Sequence, residues 1–159
     1  MLRSLLVLIF CFVSYVSYAA DAPFYSHHKK GALKGADVVA YYSLKEGDKA
    51  VLGRDEFTYE WRGATWKFSS EENRRLFSEN PEKYIPEFGG YCAYAMWLGF
   101  TNSILPNSWT IIDDKLYLNH NRFTKKRFLK KPEEFIEKAK ANWPQALTEC
   151  EASNKCQYE

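Results

Sequence analysis

The stretch Phe57-Thr58-Tyr59-Glu60-Trp61-Arg62-Gly63-Ala64-Thr65-Trp66-Lys67-Phe68 leaves the chain few ways to fold. Large aromatics alternate with polar residues on both sides of Arg62-Gly63, and a period of two is the mark of a half-buried strand. The pattern predicts a β-hairpin that turns at Arg62-Gly63. Phe57, Tyr59 and Trp61 fall on one face of its first arm, and Trp66 and Phe68 share a face of the second. These opposed aromatic faces are expected to form the main wall of the core. With aromatics at 17% of the chain, the remaining core is expected to be aromatic as well, with some aromatic surface left exposed.

The rest of the mature chain is placed around that hairpin. Residues 20–32 read as an extended lead-in; its His27-His28 pair is a solvated pair rather than a metal site. Asp37 to Tyr42 is β-branched and aromatic and reads as a first strand, followed by a polar loop from Ser43 to Gly53. Ser69 and Glu72 have the spacing of a capping box, so a helix is expected to start there and to end at Asn80-Pro81. Pro81 to Tyr84 reads as one further turn, stopped before Pro86. Trp109–Ile112 and Lys115–Asn119 read as a second hairpin around Asp113-Asp114, since Asp tolerates positive φ. Lys125–Lys131 is basic and helical in tendency. Pro132 opens a last helix with an apolar stripe of Phe135, Ile136, Ala139 and Trp143, limited by Pro144.

A second organising stretch is Gly89-Gly90-Tyr91-Cys92-Ala93-Tyr94-Ala95-Met96-Trp97. Two adjacent glycines mark a tight turn or a close backbone approach. A helix is expected to start after Gly90, with Cys92 in its first turn, where the helix dipole lowers a thiol's pKa. The alternative for Cys92 is an inert core thiol.

The N-terminus has a basic start at Arg3, an apolar run from Leu5 to Val16, and small residues at Ser17 and Ala19. This predicts a secretory signal peptide over residues 1–19, cleaved after Ala19, and a periplasmic or otherwise secreted chain with no transmembrane span in its mature part. Cys11 leaves with the leader. Of the remaining cysteines, Cys150 and Cys156 sit close together in a polar tail (residues 145–159) and are expected to close a small disulfide loop, leaving Cys92 as the odd thiol.

The charge is close to balanced, with 22 basic against 20 acidic side chains, which argues against nucleic acid as a partner. No Gly-rich phosphate loop, Gly-x-Ser-x-Gly elbow, paired-His zinc motif or Cys-x-x-Cys is present. A non-enzymatic role is therefore expected.

One longer pattern carries a resemblance. Phe57-x-Tyr59-x-Trp61-x-Gly63-x-x-Trp66-x-Phe68-Ser69-Ser70, Asn73-x-x-Leu76-Phe77 and Asn80-Pro81-Glu82-Lys83-Tyr84 are followed by Gly89-Gly90-Tyr91-Cys92-Ala93, Trp109-x-Ile111, Lys115 to Asn119 and Ala141-Asn142-Trp143-Pro144. Together these resemble the small secreted YHS-domain proteins of bacteria, over residues 35–144. The resemblance implies a single α+β domain of two β-hairpins packed with short helices. It also implies metal binding through cysteine. Members of the metal-binding type carry cysteines where this chain has Ala40 or its neighbours, Ser70 and Asn73, and the histidine of the family name is replaced near Trp61. Only Cys92 remains for that role, with His120 or an aromatic pocket beside it.

Three functions stay open at this point. The first is a binding module for a soft, copper-like metal ion or a small ligand near Cys92, with Tyr91, Tyr94 and Trp97 shaping the pocket. The second is a thiol-based redox protein using Cys92. The third is a non-catalytic domain that docks an envelope protein partner.

Overall fold

The computed structural model describes residues 24–153 together with Cys156. The expected leader, residues 1–19, and the first residues of the lead-in lie outside them. The described residues form a mixed α+β structure with three antiparallel two-stranded sheets and five α-helices.

The aromatic hairpin is present as β3 (Arg54–Trp61) and β4 (Ala64–Phe68). Arg62 and Gly63 turn it with φ of 45° and 71°, the left-handed pair that matches the twist of the strands. Tyr59 faces Trp66 and Trp61 faces Ala64, with a register shift between Arg54 and Thr58. Trp66 and Phe68 are buried. Helix α1 (Glu71–Glu79) lays Phe77 on this face, with its ring centroid 5.0 Å from Trp66 and 5.2 Å from Phe68. The short α2 (Pro81–Tyr84) follows, as the sequence predicts.

The second hairpin, β5 (Trp109–Ile112) and β6 (Lys115–Leu118), turns at Asp113 and Asp114 with φ of 49° and 57°. A further short pair, β1 (Ser26–His27) and β2 (Gly31–Ala32), lies in the stretch expected to be an extended lead-in. It belongs to the core: Tyr25, Ala32 and Leu33 are buried. A Cβ on Gly31 would sit 2.4 Å from the Thr65 carbonyl oxygen, so β2 reaches β4 only because residue 31 is glycine.

Asp37 to Tyr42 forms no strand. Val38, Val39, Ala40 and Tyr41 are buried in succession, and Ala40–Ser43 is a 3-10 turn. The cause is Asp37, whose Oδ1 accepts from the N–H groups of Val39 and Ala40 and so draws the backbone into a turn. Its Oδ2 accepts from Ser69 N, Ser69 Oγ and Asn73 Nδ2 at 2.7–2.8 Å. With Ser69 engaged there, the N-cap of α1 moves to Ser70, whose Oγ accepts from Asn73 N.

Gly89 and Gly90 make the expected tight passage, with φ of 59° and 82°. A Cβ on Gly90 would lie 2.4 Å from Leu33 Cδ2. The chain then enters α3 (Ala93–Leu98), with Cys92 as its N-cap. Helix α4 (Arg122–Phe128) starts earlier than its basic run suggests, because Asn121 and Thr124 form a reciprocal capping box.

Helix α5 (Pro132–Ala152) runs through Pro144 instead of stopping there. Proline removes one helix bond at a cost of about 3 kcal/mol, but Ala139, Ala146 and Cys150 continue one buried stripe across it. The boundary expected between domain and tail is therefore helix interior. Its end is tied by the Cys150–Cys156 disulfide, as the spacing predicts. Asn142 on α5 donates through Nδ2 to the carbonyls of Met96 and Trp97, closing the C-terminus of α3. No described helix is long and apolar enough to cross a membrane.

Candidate functional site

Cys92 is 1% exposed. It is held where α3 meets β6: its backbone bridges Leu118, its N–H donates to Asn102 O, and its Sγ lies 3.8 Å from Asn119 Oδ1. Asn119 Oδ1 also accepts from Tyr94 N. Burial pushes the thiol above its ordinary range; the N–H groups of Ala95, His120 and Tyr94 and the Thr124 hydroxyl oppose this only in part. Cys92 does start a helix, but the desolvation of a closed site outweighs the donors there.

The other candidates do not converge on it. Tyr91 is fully buried, and its hydroxyl donates to the carbonyl of Cys156. Its ring lies against Trp143 and Tyr25. Tyr94 and Trp97 pack on Phe135, with Trp97 stacked at 4.4 Å, and Arg127 Nη1 donates to the Tyr94 hydroxyl. Phe135 and Trp143 are about 12 Å apart along α5, so the aromatics divide between two places. The His120 side chain is exposed and bonded to Ser103. Among the described residues no three His, Cys, Asp or Glu side chains gather to hold a metal ion.

The sequence gives less notice of a cleft of about 790 Å³ that Cys92 does not line. Three short segments build it, together with Lys30 and with Lys67 on β4. The first is the turn Leu33-Lys34-Gly35, with φ of 52°, 58° and 80°. The second is Leu52 to Glu56, joined to the first where Gly53 N donates to Gly35 O. A Cβ on Gly53 would stand 2.3 Å from the Lys67 carbonyl carbon, so glycine is what lets this segment close on β4. The third segment is Leu105-Pro106.

Leu52, 63% exposed, and Leu105, 41% exposed, make the apolar part of the lining, and Lys30, Lys34, Arg54 and Lys67 bring cations to it. Burial, then the neighbouring Lys30, pushes the Lys34 ammonium below the usual lysine range. A smaller cleft of about 330 Å³ shares Asp55 and Lys67 and reaches the stacked His27 and His28. A third, of about 220 Å³, lies by Phe88 and Trp143, and Cys92 lines none of the three.

Leu52, at the end of the short apolar run Ala50-Val51-Leu52 before Gly53, and the lysines at 30 and 34 are the sequence signals of the large cleft. Comparison with protein-family models, with curated proteins and with solved structures finds no match to this chain.

Proposed function

We propose that the chain is an exported, non-enzymatic binding domain of the YHS kind, and that its ligand enters the cleft between Leu52 and Leu105. The observation that carries this reading is an open cleft with both apolar and charged lining, of the size small ligands occupy. Cys92 offers no comparable opening: its sulfur is enclosed and held toward the thiol form. A soft-metal or redox centre there requires a thiolate that reaches solvent. Export is supported by the N-terminal basic, apolar and small-residue pattern, and the YHS kinship by the hairpin-to-Tyr84 motif and the α+β fold.

The test is a fragment screen on ¹⁵N-labelled protein by two-dimensional NMR. Shifts that cluster at Lys34, Gly35, Gly53 and Leu105 support the reading. Shifts that cluster at Cys92, Tyr94 and His120, together with a Cu(I) affinity lost in Cys92→Ser, overturn it.

A second reading is favoured by one surface observation. Phe123 and Leu129 at α4, with Leu98 at the end of α3 and Phe100 after it, present large apolar side chains to solvent. A domain that docks an envelope protein would use such a surface. Crosslinking in intact cells from a photoreactive residue at 123 would return a discrete partner if so.

A further inference from the structure

We infer that the cleft takes a small amphiphilic anion: a short aliphatic body bearing one carboxylate or phosphate group. This rests on the reading of the cleft as the binding site and names what enters it.

The charges in the cleft do not balance. Its two carboxylates are engaged, Asp55 with Lys67 at 2.6 Å and Glu56 with Arg54 at 3.7 Å. Among the described residues neither Lys30 nor Lys34 has a carboxylate partner, although both line the cleft. Lys29 lines the adjoining cleft and extends the positive field. Lys34 is also held in a left-handed conformation that non-glycine residues adopt only at a cost, and such residues cluster where ligands are held. The lowered Lys34 pKa agrees with a cation that is partly desolvated and not neutralised.

Leu52 and Leu105 supply the second requirement. Both are well exposed on the same cleft, and an aliphatic chain lying between them would remove their apolar surface from water. A purely inorganic anion would leave them wet, and a cationic amphiphile would meet the lysines. The two halves of the cleft therefore select a molecule with both an anionic head and an apolar body.

The probes are octanoate, octyl phosphate, octylammonium and octyl glucoside, each below its micelle concentration, titrated into the ¹⁵N-labelled chain at low salt. Saturable shifts at Lys34, Gly35, Gly53 and Arg54 are expected with the two anions, and at least tenfold weaker binding with octylammonium. The double variant Lys30→Ala/Lys34→Gly, in which glycine accepts the positive φ at 34, is expected to lose octanoate affinity at least tenfold. Leu52→Ser, at an exposed position, is expected to weaken it severalfold.

Equal binding of octanoate and octylammonium, or an unchanged affinity in the lysine variant, overturns the anion inference and leaves the cleft as a binding site. No saturable shift with any of the four probes overturns both. Phosphatidylglycerol vesicles separate the sources of an anion: vesicle binding that octanoate displaces identifies a lipid headgroup, and octanoate binding without vesicle binding identifies a soluble molecule.

Discussion

Replacing Asp37 removes the group that ties its own turn to the start of α1. Its fully buried carboxylate accepts five hydrogen bonds, from Val39 N, Ala40 N, Ser69 N, Ser69 Oγ and Asn73 Nδ2. In Asp37→Ala, three backbone N–H groups lose their acceptor. Each costs about 1–3 kcal/mol if it stays buried and dry. The Ser69 hydroxyl and the Asn73 amide, already 3.4 Å apart, can turn to one another and recover part of their loss. The expected destabilisation is about 4 kcal/mol, a large share of the roughly 5–15 kcal/mol that holds a domain of this size. Asp37→Asn keeps an oxygen toward Val39 and Ala40 but turns an amide toward three donors, so a loss of about 2–3 kcal/mol is expected. Urea unfolding followed by tryptophan fluorescence measures both, and the midpoint is to fall with little change in slope. If Asp37→Ala lies within 1 kcal/mol of the parent protein, the carboxylate is not the tie described.

Other expectations follow from single features. Gly90→Ala forces a Cβ to within 2.4 Å of Leu33 Cδ2 at a φ of 82° and is expected to cost about 2–4 kcal/mol, whereas Gly47→Ala, with open space around it, is expected to cost only about 1 kcal/mol. Paired urea curves of the two variants check the difference. The Cys150→Ser/Cys156→Ser variant opens a short loop and is expected to lose about 2 kcal/mol, measured by its unfolding midpoint with and without reductant. Burial pushes Tyr41 well above the usual phenol range, and Tyr42 and Tyr117 up to about 12. Between the unfolded pKa near 10 and those folded values the unfolded chain binds fewer protons than the folded one. Stability is therefore fully present below pH 10 and lost as pH rises above it, which urea midpoints at pH 8, 10 and 11 test.

Both large hairpins were legible because their signals are local. A period of two and a two-residue turn fix a strand pair wherever it sits, and Arg62-Gly63 and Asp113-Asp114 adopt the left-handed geometry that such turns need. The start of α3 at Cys92 was legible for the same reason, but the burial of its sulfur was not, since it depends on Leu118 and Asn119 arriving from another strand. The β-branched and aromatic pattern of Asp37 to Tyr42 hides a turn that Asp37 Oδ1 makes with Val39 and Ala40, and the partners that hold its Oδ2, Ser69 and Asn73, lie more than thirty residues away. Pro144 reads as a stop, and only the packing of Ala146 and Cys150 carries the helix past it. The cleft draws on parts of the chain far apart in sequence, and only Lys67 belongs to a stretch with a pattern of its own.

The most direct test of where this protein binds is native mass spectrometry of the chain isolated from its own host, with exposed thiols alkylated before denaturation. The predicted result is a chain beginning at Ala20 whose Cys92 takes up label only after unfolding, and any bound mass is that of an organic anion displaced by octanoate. A Cys92 labelled in the native protein, with added mass matching a metal ion that disappears in Cys92→Ser, would contradict the account and return the site to the thiol.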